Sequence, residues 1–162
     1  MAGPFIVSLR PMSVERIAEW APGNEADYRE SRIQAGETEA VAAAKARESF
    51  EKFFPNGQAL PTHRIFDIVA DAGEGPEAVG YLWIGPQGDA DPLAWWVWDV
   101  EIVEGHRRRG HARAAMLLGE DVARSLGATS LGLNVFGFNT GARDLYESLG
   151  YAPTAIQMKK PL

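Results

Sequence analysis

The 162-residue chain has no cysteine. That absence excludes disulfides, thiolate nucleophiles and cysteine-ligated zinc or iron–sulfur centres together, and it makes a reducing cytoplasm the expected location. Long apolar runs are missing too, none approaching the ~20 residues that a membrane span needs. The opening MAGPFIVSLR carries no basic segment ahead of an apolar run, so no secretory signal is expected. No G-x-x-x-x-G-K-[ST] phosphate loop occurs, no G-x-G-x-x-G follows a strand pattern, and no G-x-S-x-G is present. The three histidines, His63, His106 and His111, form no tight ligand set and read as solvated surface or loop residues. Hydrolase and zinc-enzyme readings have no support, and no metal is expected.

Positive charge is also missing from one stretch. Between Ile65 and His106 there is no Lys or Arg, yet Asp67, Asp71, Glu74, Glu77, Asp89, Asp91, Asp99, Glu101 and Glu104 all fall there. Directly afterwards comes His106-Arg107-Arg108-Arg109-Gly110-His111-Ala112-Arg113. The net charge of -6 argues against general binding to nucleic acid or to an anionic membrane. The basic cluster therefore calls for a local explanation.

What is present is ordinary for a globular chain: 46% hydrophobic, 10% aromatic and 23% charged residues. At this length one domain over residues 1–162 is expected, burying about 69% of the unfolded surface. Phe5 to Leu9 reads as a first strand. Ser13 can cap a helix that Pro22-Gly23 should break, and Thr38 can cap an alanine-rich helix ending near Phe54. Arg64–Ala70, Ala78–Ile84, Leu93–Val103 and Leu131–Phe136 read as strands, and Ala155–Lys159 as one that closes the sheet. A helix from Gly110 or His111 to Leu126 would bury Ala115, Leu118, Val122 and Leu126; a shorter one would bury Ala142, Leu145 and Leu149. The fold class expected is α/β (α+β), with one mixed, mostly antiparallel sheet of about six to seven strands flanked by about four helices.

Arg107, Arg108 and Arg109 stand where the long strand turns into a helix. A helix N-terminus repels cations by ~0.3–1 kcal/mol each, so three in a row make sense if an anion docks on the free backbone N–H groups there. Gly110 and the small Ala112 would let it come close. A solvated basic turn balanced by Asp99, Glu101 and Glu104 is the alternative.

The pattern strand–Arg107-x-x-Gly110-x-Ala112–helix, then a strand and Asn139-x-x-Ala142-x-x-Leu145-Tyr146-x-x-x-Gly150-Tyr151, resembles the GNAT superfamily of acyl-CoA N-acyltransferases. The resemblance spans roughly Trp95 to Tyr151. It implies an N-acetyltransferase fold and acetyl-CoA as cosubstrate. It further implies a pyrophosphate held by Arg107, Arg108, Arg109, Gly110, His111, Ala112 and Arg113. A pantetheine arm would lie along the backbones of Val100, Glu101 and Ile102, with a further cofactor contact from Asn139, itself a natural helix N-cap. Tyr146 corresponds to the family's general acid. Some relatives carry a glutamate base where this chain has Asn134, so Glu101 is the leading candidate base and Asp99 the second. Tyr28 and Glu30 are weak candidates for the acceptor pocket, and most of Trp83, Trp95, Trp96 and Trp98 are expected in the core.

The implied reaction is direct acetyl transfer from acetyl-CoA to a primary amine, on a small molecule or a peptide N-terminus, in a ternary complex. The carboxylate-rich stretch favours a cationic amine. A non-catalytic acyl-CoA sensor stays open as the alternative, a basic-patch nucleic-acid module is disfavoured by net charge, and a homodimer is allowed.

Overall fold

A computed structural model gives the fold and describes residues 6–162, so the expected start of the first strand at Phe5 lies outside the described residues. The sheet has five strands in the order of the sequence: β1 (Ile6–Pro11), β2 (Arg64–Asp71), β3 (Pro76–Pro86), β4 (Ala94–Ile102) and β5 (Ser130–Leu133). Neighbours run antiparallel from β1 to β4, and β5 joins β4 in parallel. Four α-helices complete it: α1 (Val14–Gln34), α2 (Glu39–Phe53), α3 (His111–Ser125) and α4 (Thr140–Ser148).

Both expected caps form. Ser13 accepts the Arg16 N–H at 3.2 Å, and Thr38 accepts the Val41 N–H at 3.4 Å. The break expected at Pro22-Gly23 does not occur, and α1 runs through it. An interior proline costs a helix ~3 kcal/mol. Trp20, Ala21 and Asn24, buried on either side of the ring, hold the two halves of α1 in line.

The helices cover opposite faces of the sheet. On one, Phe66, Ile68, Leu82, Ile84, Trp95, Val97 and Ile102 pack with Ala115, Met116 and Ala123 of α3, and Leu149, just past α4, joins their edge. On the other, Ile65 and Trp83 pack with Trp20 of α1 and Phe53 of α2. The buried stripe of α3 differs from expectation. Ala115, Met116, Gly119 and Ala123 are buried, Leu118 and Val122 flank them, and Leu126 is exposed. Small residues let the helix axis approach the sheet, so the stripe centres on them and not on the leucines.

Three further expectations are corrected. Among the described residues there are five strands, fewer than the six to seven expected, because Ala155–Lys159 forms none. Ile156 and Met158 there are exposed, and a strand without a buried face has little to hold it. His63 and His111 are buried. The Trp83 Nε1–H donates to His63 Nδ1 at 2.9 Å, and burial pushes the His63 pKa down to about 4.

Candidate active site

The site begins with an irregularity in β4. Ile84 pairs with Val97 and Trp83 with Asp99, so Trp98 is an extra residue without a partner on β3. The bulge puts two consecutive side chains, Trp98 and Asp99, on the α1/α2 face, while Val97 and Val100 pack on the α3 face. It also marks where β5 stops: the parallel ladder covers only Ala94–Val97 against Ser130–Leu133. Beyond it β4 has an open edge. An added Cβ at Gly80 would meet the Glu101 carbonyl oxygen at 2.0 Å, so the Glu101 backbone faces β3. By the alternation of a strand, Val100 and Ile102 turn their backbone groups to the open side. The expectation of a free backbone at Glu101 is therefore corrected. The Ile102 carbonyl already accepts the Arg107 Nε–H at 2.8 Å.

Four polar side chains meet on the α1/α2 face. The Tyr81 hydroxyl lies 2.9 Å from Asp99 Oδ2 and 3.1 Å from Glu101 Oε2. Asn24 Nδ2 donates to Asp99 Oδ2 at 2.5 Å. Burial pushes the Asp99 pKa up to about 6, against the pull of the Tyr81 and Asn24 hydrogen bonds. Glu101 is more exposed, and Arg107 Nη2 lies 3.3 Å from its Oε1. Tyr146, on α4, is half-buried at the margin of the α3-side core, edge-on to Tyr151. Burial, with the nearby Asp99 charge second, pushes its pKa up to about 12, so its hydroxyl keeps its proton at neutral pH.

The basic turn follows β4. Gly110 adopts φ +84°, a left-handed conformation costly for any residue with a Cβ, and the space where that Cβ would stand is open. No side chain caps α3. One groove is bordered by Asn24, Asp99, Glu101, Tyr146, Arg107 and Gly110, and extends to Val100, Ile102, Arg108, Ala112, Arg113 and Asn139. Tyr28 and Glu30 line it as well. Arg109 lies apart, in a small recess with Glu77, Val79 and His106, and the His111 ring is buried beneath the helix start. The anion contact expected of Arg109 and His111 therefore falls to their backbone N–H groups at the start of α3, not to these side chains. Arg113 is hydrogen-bonded to Ser148. Asn139 caps α4, accepting the Ala142 N–H at 3.2 Å. Of the nine carboxylates between Ile65 and His106, only Asp99 and Glu101 border the groove.

Sequence reasoning missed Tyr81 and Asn24. Tyr81 alternates with Trp83 on a strand, a weak signal, and Asn24 follows the proline–glycine pair that suggested a break.

A mixed sheet opened between two parallel strands, with carboxylates beside the opening and an uncapped helix at its end, is the frame of an acyl-transferring enzyme. The chain belongs to the GNAT acetyltransferase family, whose model, described as Acetyltransferase (GNAT) family, matches residues 27–151. It is 28% identical over 157 residues to the uncharacterised N-acetyltransferase YycN of Bacillus subtilis (strain 168), covering 96% of this chain and 99% of that one. The crystal structure of YycN superposes with a TM-score of 0.84, over 97% of this chain and 99% of the other. A second Bacillus subtilis (strain 168) protein, the uncharacterised N-acetyltransferase YdgE, is 36% identical over 129 residues, 77% of this chain and 78% of that one. The aminoglycoside N-acetyltransferase AAC(6')-Iy, solved with CoA, shares the fold at a TM-score of 0.60 and 14% identity, over 100% of this chain and 98% of the other. The protein is thus an acyltransferase of this family. Among the described residues no helix is long and apolar enough to cross a membrane.

Proposed function

We propose that the protein, acting as one N-acetyltransferase domain in the cytoplasm, moves an acetyl group from acetyl-CoA to a primary amine by direct attack in a ternary complex. The observation that carries this reading is the open edge of β4, with Asp99 and Tyr146 both bordering the groove beside it. The residues present fit the cosubstrate. An extended pantetheine arm can pair with Val100 and Ile102 as an added strand. The pyrophosphate can lie on the uncapped N-terminus of α3, where Gly110 leaves room and Arg107, Arg108 and Arg113 border the groove. Asn139 caps α4 and supplies a further contact to the cofactor arm.

Asp99 serves as base. The sequence reading ranked Glu101 first, but Glu101 is the more exposed carboxylate and is held to Arg107. Asp99 is half-buried, with a pKa near the working range, which suits a general base. It takes a proton from the substrate ammonium. The freed lone pair attacks the thioester carbonyl, whose oxyanion is held by a backbone N–H near Ile102. The C–S bond then breaks, the thiolate takes the Tyr146 proton, and the proton that the attacking nitrogen loses on becoming an amide restores the Tyr146 hydroxyl. Glu25, Asp27 and Glu30 of α1 border the same groove, which favours a cationic acceptor. The test is free-thiol release from acetyl-CoA across a panel of cationic, neutral and acidic amines. Amine-dependent release, fastest with the cationic ones and slowed by salt, is expected. Coenzyme A binding without release for any amine would leave a sensor and overturn the reading.

A further inference from the structure

The Tyr81 hydroxyl, half-buried on the α1/α2 face, takes no part in the acetyl-transfer steps. Tyr81 lies between two carboxylates, 2.9 Å from Asp99 Oδ2 and 3.1 Å from Glu101 Oε2. A phenol has one proton and can donate it to only one of them. The second contact becomes a hydrogen bond when a carboxyl group holds a proton and donates it to the phenol oxygen. The ends of this chain differ. Asp99 is inward, its same oxygen held by Asn24, whereas the Glu101 side chain is 42% exposed with Arg107 beside it.

We propose that Tyr81 is a positioning residue that carries the proton of the acceptor amine from Asp99 to Glu101, and so to solvent. The inference rests on Asp99 being the base. In the sequence of transfers, the ammonium N–H breaks and its proton binds Asp99. Asp99 then donates to the Tyr81 oxygen as the Tyr81 O–H proton passes to Glu101. Glu101 releases that proton to water beside Arg107. One proton leaves the ammonium, one reaches solvent, and Asp99, Tyr81 and Glu101 end as they began. The relay resets the base while the acceptor occupies the groove beside Asp99.

The surroundings support this use. Burial, with Asp99 and Glu101 next in effect, raises the Tyr81 pKa far above that of an ordinary phenol, so the resting hydroxyl is always protonated. The groups around the three oxygens are Asn24 and the Trp20 ring of α1, Arg107 after β4 and Tyr146 of α4, with Asp67 of β2 the cross-strand neighbour of Tyr81. Asp67 is itself paired with Arg10 and Arg16. Trp20 packs edge-on to the Tyr81 ring at 5.0 Å, a contact that phenylalanine keeps.

The experiment compares Tyr81→Phe, Glu101→Gln and the double variant, each checked for an intact Tm. The Asp99 carboxyl is titrated by carbon NMR in the free protein, and kcat and acetyl-CoA KM are measured across pH. Tyr81→Phe removes a hydrogen bond that stabilises the Asp99 anion, so the Asp99 midpoint and the rising limb of the pH–rate profile both move to higher pH. Each single variant loses about tenfold in kcat, less than the 10²–10⁴-fold of a group acting on the substrate itself. KM for acetyl-CoA stays constant in Tyr81→Phe, and the double variant loses no more in kcat than either single. Losses that multiply in the double variant, or an unmoved Asp99 midpoint, would overturn the relay while leaving the acetyltransferase reading intact. Absence of amine-dependent thiol release from the wild-type protein would overturn both.

Discussion

From Ala94 to Val97, β4 has a neighbour on each side; from Trp98 to Ile102 it has one only along β3. The first half is structural. Trp95 and Val97 are buried in the α3-side core, and Trp96 lies against Gly132 of β5 so closely that an added Cβ would fall 2.4 Å from its ring. The second half carries Asp99, Glu101 and the open backbone, and leads into the basic turn. A single bulge residue separates them. The contrast teaches that an unpaired strand edge, ordinarily an aggregation hazard, is here the feature around which the polar side chains collect.

The change with the largest expected effect acts at the far end of the open half. Gly110→Val puts a β-branched residue at φ +84° and fills the open space beside the helix start. It should abolish the rise in Tm that coenzyme A produces by binding the folded state. An unchanged affinity by calorimetry, with the fold intact, would contradict the anion site. Next comes Tyr146→Phe, which keeps the ring packing and removes the proton donor. We expect kcat to fall about 10²-fold, with acetyl-CoA affinity little altered, and wild-type turnover would remove Tyr146 from the reaction.

The third test uses pH. As the proposed base, Asp99 must be deprotonated to accept a proton, so kcat/KM should rise with pH through about 6. Stability sharpens the point. The lowered pKa of His63 contributes stability that is complete above 6.5 and is lost as pH falls toward 4. The raised pKa of Asp99 works oppositely, contributing stability at low pH that is lost as pH rises through about 6. Each amounts to about 3 kcal/mol at about 1.36 kcal/mol per pKa unit. Between pH 6.5 and 4.5 they should largely cancel in the wild type. Asp99→Asn removes one of them, so its Tm should drop across that range while the wild type stays flat in a melting series. The smallest effect belongs to the paired half: Gly132→Ala should displace Trp96 and cost about 1–3 kcal/mol of stability. Coenzyme A affinity should not change, because the damage lies on the closed side of the bulge.

Much of this arrangement is legible in the sequence, because it is written in local patterns. The caps at Ser13 and Thr38, the five strands and the turn at Gly110 each depend on a few adjacent residues. Asp99, Glu101 and Tyr146 are found through spacing and family resemblance, and the structure brings them to one groove. What escapes is set by contacts far apart in the chain. Asn24 and Asp99 are 75 residues apart, and Tyr81 and Asp99 are 18 apart across a register that the Trp98 bulge shifts. The continuity of α1 through Pro22 likewise comes from packing against the sheet, which helix propensity does not encode. The strand expected at Ala155–Lys159 has the right residue types and no partner to bury them.

The central claim is that Trp98–Ile102 is open because an acyl-CoA arm pairs there, and amide hydrogen exchange tests it most directly. In the free protein the amides on the β5 side of Ala94–Val97 should be protected, while those of Val100 and Ile102 exchange fast. Saturating acetyl-CoA should slow Val100 and Ile102 strongly and leave Ala94–Val97 unchanged. Val100 and Ile102 amides that are already protected without ligand, or that exchange equally fast with it bound, would contradict the account.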